Sequence, residues 1–119
     1  MKTIILFILL SNFILSQGWY NHPELDWQTI ETENFLSHYH TATKRSAEEA
    51  AAVAEKIYKP VTSFYDFEPD TKTHLIIEDV DDISNGAAYY YDNKILIWAL
   101  PLDFDLRGSH RWLNNVITH

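Results

Sequence analysis

Imidazoles are the side chains here best suited to hold a metal or move a proton. His38 and His40 lie two apart in the alternating stretch Phe35-Leu36-Ser37-His38-Tyr39-His40. A strand would present both on one face, a spacing that some zinc sites use. No third ligand declares itself nearby, so an ordinary, partly exposed strand face is the plainer expectation. His119 falls seven positions after Trp112, which at about 100° per residue sets both on one side of a helix, turned toward the core. Glu78-Asp79-Val80-Asp81-Asp82 could attract calcium. Counting Asp81 as the first place of a calcium loop, however, puts Ile83 where an oxygen ligand is needed, so a solvated loop is expected. Tyr89-Tyr90-Tyr91 and Trp98 could line a sugar or peptide surface, but alternating aromatics on a hairpin more often pack as sheet. His110 and Arg111 are expected to be exposed.

These groups must be positioned by one small domain, since 119 residues suffice for a single core. Lys and Arg number 9 against 17 Asp and Glu, a net charge of −8. That balance argues against a nucleic-acid partner, whose phosphates need a basic face. The absence of cysteine excludes disulfides, thiolate metal sites and a cysteine nucleophile. Met1-Lys2 precedes the 13-residue apolar run Thr3–Leu15, too short for a helix to cross a bilayer of about 30 Å. Residues 1–18 therefore read as a signal peptide, with cleavage expected after Gly18, or failing that after Ser16. The protein is expected to be exported, periplasmic or extracellular, with no stable membrane span once the leader is removed.

Along the mature part, 19–119, two short strands are expected at Trp27–Ile30 and Phe35–His40. Ser46-Ala47-Glu48-Glu49 reads as a capping box opening a helix. Its apolar stripe runs through Ala47, Ala50, Ala51, Ala54, Ile57, Tyr58, Val61, Phe64 and Tyr65, so Pro60 is expected to kink it rather than end it, the alternative being an end at Lys59. Thr73–Glu78 reads as a strand buried on nearly both faces. Ala87–Tyr91 and Lys94–Ala99 read as a hairpin turning tightly at Asp92-Asn93. Ser109 is the expected N-cap of a second helix carrying Trp112, Leu113, Val116 and Ile117 on one side. The order β, β, α, β, β, β, α predicts an α+β fold with a mixed or antiparallel sheet of about five strands.

Nothing after Ser109 signals a helix stop, neither Gly or Asn at a C-cap, nor a following Pro, nor a basic last turn. The expectation is a helix cut short at His119, in a chain that continues.

Trp112-Leu113-Asn114-Asn115-Val116-Ile117-Thr118-His119 resembles the start of the active-site helix of bacterial peptidase-MA-like zinc metallopeptidases, gluzincins in which His opens H-E-x-x-H. The likeness extends upstream in the same order through Asp26-Trp27, Glu33-Asn34-Phe35, His38-Tyr39, the Ala-rich helix, Asn85-Gly86-Ala87 and Asp105-Leu106-Arg107-Gly108-Ser109. It implies a partial metallopeptidase catalytic domain with His119 as the first Zn²⁺ ligand. It also implies that Asn85, Gly86, Ala87 and Ala88 begin an edge strand that binds the main chain of a peptide or protein substrate. In several such relatives, often labelled biopolymer transporters, a TolB-like β-propeller follows.

Two His four apart on a helix stand about 6 Å from each other and can share one zinc, while the intervening Glu faces its bound water as general base. That Glu, the second His and the later Glu ligand are absent from residues 1–119. The chain is therefore expected to bind zinc weakly or not at all and to be inactive by itself. The contrasting expectation is a complete, non-enzymatic exported binding module that uses the Tyr-rich hairpin as its contact surface.

Overall fold

Alternating stretches and short apolar runs build five strands, and a row of alanines lets a helix lie close on them. The computed structural model describes residues 22–80, 85–100 and 111–119. Strands β1 (Trp27–Glu31), β2 (Phe35–His40), β3 (Thr73–Glu78), β4 (Gly86–Tyr89) and β5 (Lys94–Trp98) form one mixed sheet in the order β1-β2-β3-β5-β4. β1 is antiparallel to β2, β2, β3 and β5 run parallel, and β4 is antiparallel to β5. Helix α1 (Lys44–Tyr65) crosses over between β2 and β3, and α2 (Trp112–Thr118) packs beside it. The fold is α+β, as the element order predicts. The expected signal peptide, 1–18, the acidic loop at 81–84 and Ser109 lie outside the described residues.

Both helices lie against one face of the sheet. Phe35, Tyr39, Leu75, Ile77 and Ile97 point there and close a core with Ala47, Ala50, Ala54 and Leu113. Small side chains at three- and four-residue steps bring the helix backbone near the strands; the Ser37 hydroxyl sits 3.5 Å from the Ala47 carbonyl. β3 alternates instead of being buried on both faces: Leu75 and Ile77 are fully buried, whereas His74 and Ile76 are half-exposed. Among the described residues both helices lie on a single face, and no described helix covers the other side of this central strand.

Three local readings are corrected. The chain turns from β2 through a 3₁₀ turn, Thr41–Thr43, straight into α1. Ser46 is already helical there, and the Ser46–Glu49 box does not open the helix. Thr43 takes the anchoring role: its hydroxyl lies 3.1 Å from the His40 carbonyl and 3.2 Å from that of Ile77. The hairpin does not turn on two residues; a 3₁₀ turn, Tyr90–Asp92, precedes Asn93 at φ 46°. Asn93 then ties the hairpin to β3, its amide donating to the Thr71 and Lys72 carbonyls while its Oδ1 accepts from Thr73 at 2.9 Å.

The end of α1 also departs from expectation. α1 does run through Pro60 to Tyr65, where Asp66 at φ 50° turns the chain and donates to the Thr62 carbonyl. Yet Phe64 and Tyr65, read as part of the buried stripe, are 81% and 71% exposed. A helix of 22 residues spans about 33 Å, while six-residue strands span about 20 Å, so the last turns overhang the sheet.

Candidate functional site

Two places on the sheet gather groups that could do chemistry: the β4 edge beside α2, and the face opposite the helices. At the edge, the Trp98 amide donates to the Asn85 carbonyl at 3.1 Å. The antiparallel register pairs Gly86 with Ile97 and Ala88 with Ile95. Alternation of the ladder then turns the main-chain groups of 85, 87 and 89 toward β5 and those of Gly86 and Ala88 toward the open side. The Asn85 side chain accepts from the Gly86 amide at 2.9 Å, so the first outward amide is already satisfied. Ala88, exposed, presents the next outward amide and carbonyl.

Gly86 is where α2 meets this edge. A Cβ placed there would lie 2.5 Å from Val116 Cγ2, so the helix side chain occupies the space of the missing one. Trp112 fixes the helix at its other end, its indole donating to the Trp98 carbonyl at 2.7 Å. Leu113 is buried and Val116 and Ile117 are partly buried, as their spacing requires.

His119 departs from expectation. It is exposed rather than core-facing, its amide donating to the Asn115 carbonyl at 3.1 Å. It borders an apolar groove of about 610 Å³ between the overhanging end of α1 and the sheet, walled by Tyr58, Phe64, Phe67, Ile95 and Ile117. Among the described residues no three His, Asp, Glu or Cys side chains gather into a metal cluster. A catalytic zinc needs three protein ligands, and His119 supplies one, so these residues do not by themselves fit the ion.

The H-x-H pair shares a face as expected, but its two rings part company. His40 is buried with its ring edge-on to Trp27, centroids 5.9 Å apart. Its Nε2 has no hydrogen-bond partner among the described residues. His38 turns the other way: its Nε2 lies 2.7 Å from His74 Nδ1, and its Nδ1 lies 2.9 Å from the Thr29 hydroxyl. The His38 and His74 rings are nearly parallel, 12° apart in plane. Burial, and then the neighbouring imidazole, hold the His38 pKa below its ordinary value. The pair borders a second cavity of about 440 Å³, with Trp27, Ile76, Asp92 and Lys94 around it.

No local motif singles out His74. It stands 36 positions from His38 and becomes its neighbour only through the parallel register, in which His38 faces Ile76 and His74 faces Leu36. The detectable signal was parity, since both fall on the strand positions opposite those that face the helix.

The tyrosine run divides. Tyr89 lies under the Lys94 ammonium, 4.9 Å from ring centre to Nζ, whereas Tyr90 and Tyr91 project from the hairpin tip 86% and 97% exposed. Sheet packing therefore does not account for these two. No helix among the described residues is long and apolar enough to cross a membrane. No family model, no curated protein and no solved structure matches the chain.

Proposed function

We propose that the chain is the N-terminal part of the catalytic domain of an exported zinc-dependent peptidase of the peptidase-MA-like group, with β4 as the strand that receives substrate and His119 as the first metal ligand. One observation carries this reading: among the described residues β4 is the outermost strand, antiparallel to β5, and α2, which leads to His119, packs directly on its first residue. An extended peptide would add to β4 through the outward main-chain groups of Ala88 and the Gly86 carbonyl, leaving Asn85 to hold the strand entry. Pairing of this kind reads main chain, so sequence preference would be loose. The general base and second His are supplied outside residues 1–119, and the chain alone neither holds zinc tightly nor cleaves peptides.

Reading the coding DNA past codon 119 tests the proposal. Glu, two further residues and then His would support it, and a stop codon or any other continuation would overturn the catalytic reading. Peptidase activity from residues 19–119 alone would overturn the inactivity of this part. A second reading, a non-enzymatic module that contacts its partner through the hairpin, is favoured by the near-complete exposure of Tyr90 and Tyr91. Loss of partner binding on replacing both tyrosines by serine, in a chain whose codon 119 is followed by a stop, would support it.

A further inference from the structure

We propose that His38 and His74, on the sheet face turned away from both helices, form an acid-sensitive latch. A hydrogen bond between the two rings closes it, and charge on both rings opens it and loosens the edge strand β1. The latch is separate from His119 and does not depend on the peptidase reading.

The geometry comes first. His38 Nε2 and His74 Nδ1 stand 2.7 Å apart, and with planes 12° apart and centroids 5.0 Å apart the two rings meet edge to edge, in line. Such a contact needs a proton on one facing nitrogen and a lone pair on the other. On the far side of its ring, His38 Nδ1 lies 2.9 Å from the Thr29 hydroxyl. Thr29 stands directly across from His38 on β1, and His74 comes from β3. The row Thr29, His38, His74 therefore ties three neighbouring strands through side chains alone.

The number of protons decides the state of this row. With both rings neutral, one facing nitrogen is protonated and the bond forms. A first added proton goes to an outer nitrogen and leaves the bond in place, now charge-assisted. A second puts protons on both facing nitrogens, so neither can accept, and two imidazolium charges stand at bonding distance. Burial, and then the charge of His74, hold the His38 pKa below its ordinary value, in the direction the second step requires. Unfolded, His38 titrates near about pH 6.5. The contribution of the closed latch is whole above that value and is lost as pH falls through the lower folded-state one.

The charged groups around the pair set the balance. Glu78 and Asp92 line the cavity beside the rings and favour the first proton, whereas Lys94, held by Asp92 at 2.8 Å, opposes it. On β1 Glu31 is engaged by Lys72, on β2 His40 is buried against Trp27, and on β4 Tyr89 lies under Lys94. Among the described residues no carboxylate hydrogen-bonds to His38 or His74, so none neutralises the second charge at contact. The cavity of about 440 Å³ gives the parted rings room and admits water. Among the described residues β1 is the outermost strand on its side and pairs only with β2, so it is the strand that feels the loss.

Proton NMR of the purified chain, with the histidine ring signals followed from about pH 8 to 5, tests the latch. The His38 and His74 signals are expected to report two coupled steps, the second below the ordinary histidine range. Hydrogen exchange over the same range, corrected for its intrinsic pH dependence, should show protection of the β1 amides falling about tenfold or more while that of the β5 amides holds. His74→Gln keeps a neutral hydrogen-bonding partner for His38 but takes up no proton, and its β1 protection should change less than about twofold. Independent single-step titrations of the two rings, or β1 protection that does not change with pH in the unsubstituted chain, would overturn the proposal. So would a folded His74→Gln chain that loses β1 protection in acid as the unsubstituted one does. The first two readings need no substitution, so they decide the matter even where His74→Gln does not fold.

Discussion

The two faces of the sheet are made by the same strands and do different work. On the helix side Leu75, Ile77 and Ile97 are fully buried and every neighbour is apolar or small. On the other side the alternate residues include His38, His74 and Lys94, gathered around a cavity, and beside them the buried His40, Leu96 and Trp98. α1 covers one face, while on the opposite face packing of Leu96, Trp98 and His40 leaves only the positions around the cavity to half-exposed polar groups. Polar groups thus gather on the half-exposed part of the face that neither described helix covers.

That contrast is broken most severely from the dry side. Leu75→Ala removes a fully buried side chain between β2, β5 and α1 and should cost about 3 kcal/mol, visible as a lower urea midpoint. Ile76→Ala, the next residue but on the other face, should cost about 1 kcal/mol or less. Equal losses at the two positions would mean that the second face is packed as tightly as the first.

The junction of α2 with the sheet comes next. Gly86→Val would place atoms where Val116 Cγ2 already lies, 2.5 Å from the added Cβ. Overpacking of this kind costs about 2 kcal/mol. Adding Val116→Ala should restore most of that loss, and a failure to do so would show that the strain lies in the strand and not against the helix.

A smaller effect comes from the clamp between α1 and the β1–β2 turn. Glu55 accepts from the Asn34 amide and from the Asn34 side chain, both at 2.7 Å. Burial alone would raise its pKa, but the hydrogen bonds from Thr32 and Asn34 and the charge of Lys72 outweigh burial and hold it below the ordinary carboxylate value. The ionised form is thus favoured on folding. Its contribution is present above the unfolded-state value and is lost as pH falls through the lower folded-state one. Glu55→Gln should cost about 1 kcal/mol at neutral pH and make stability fall less steeply on acidification below about pH 4.5. Thermal unfolding followed between pH 3 and 7 checks both.

What could be read in advance follows from which forces are local. Strand alternation, compact apolar runs and the alanine stripe are local, so all five strands, α1 running through Pro60 and the α+β class are legible in the sequence. Register is not local. The meeting of His38 with His74, and the packing of Val116 on Gly86, depend on which residue of one strand faces which of another. The Ser46 box was legible as a pattern and still misled, because Thr43 reaches the β2 and β3 carbonyls first and starts the helix earlier. Periodicity turns His119 toward the core, but the helix wheel carries no information on where the neighbouring element ends. There the sheet gives way to the groove, and the ring meets solvent.

The mildest substitution probes the edge. Ala88 turns its amide outward, so Ala88→Pro removes no ladder hydrogen bond to β5, and proline is tolerated on a sheet edge in this orientation. The change should move stability by about 0.5 kcal/mol or less. It would nonetheless delete the one outward amide that Asn85 does not already satisfy and thereby block an added antiparallel strand. Titrating an extended peptide into the isotopically labelled chain should shift the amide signals of β4 in the unsubstituted protein and leave them in place in Ala88→Pro. Shifts that persist in the variant would move peptide binding away from this edge. Shifts centred instead on Tyr90 and Tyr91 would assign contact to the hairpin tip and favour the binding-module reading over the peptidase one.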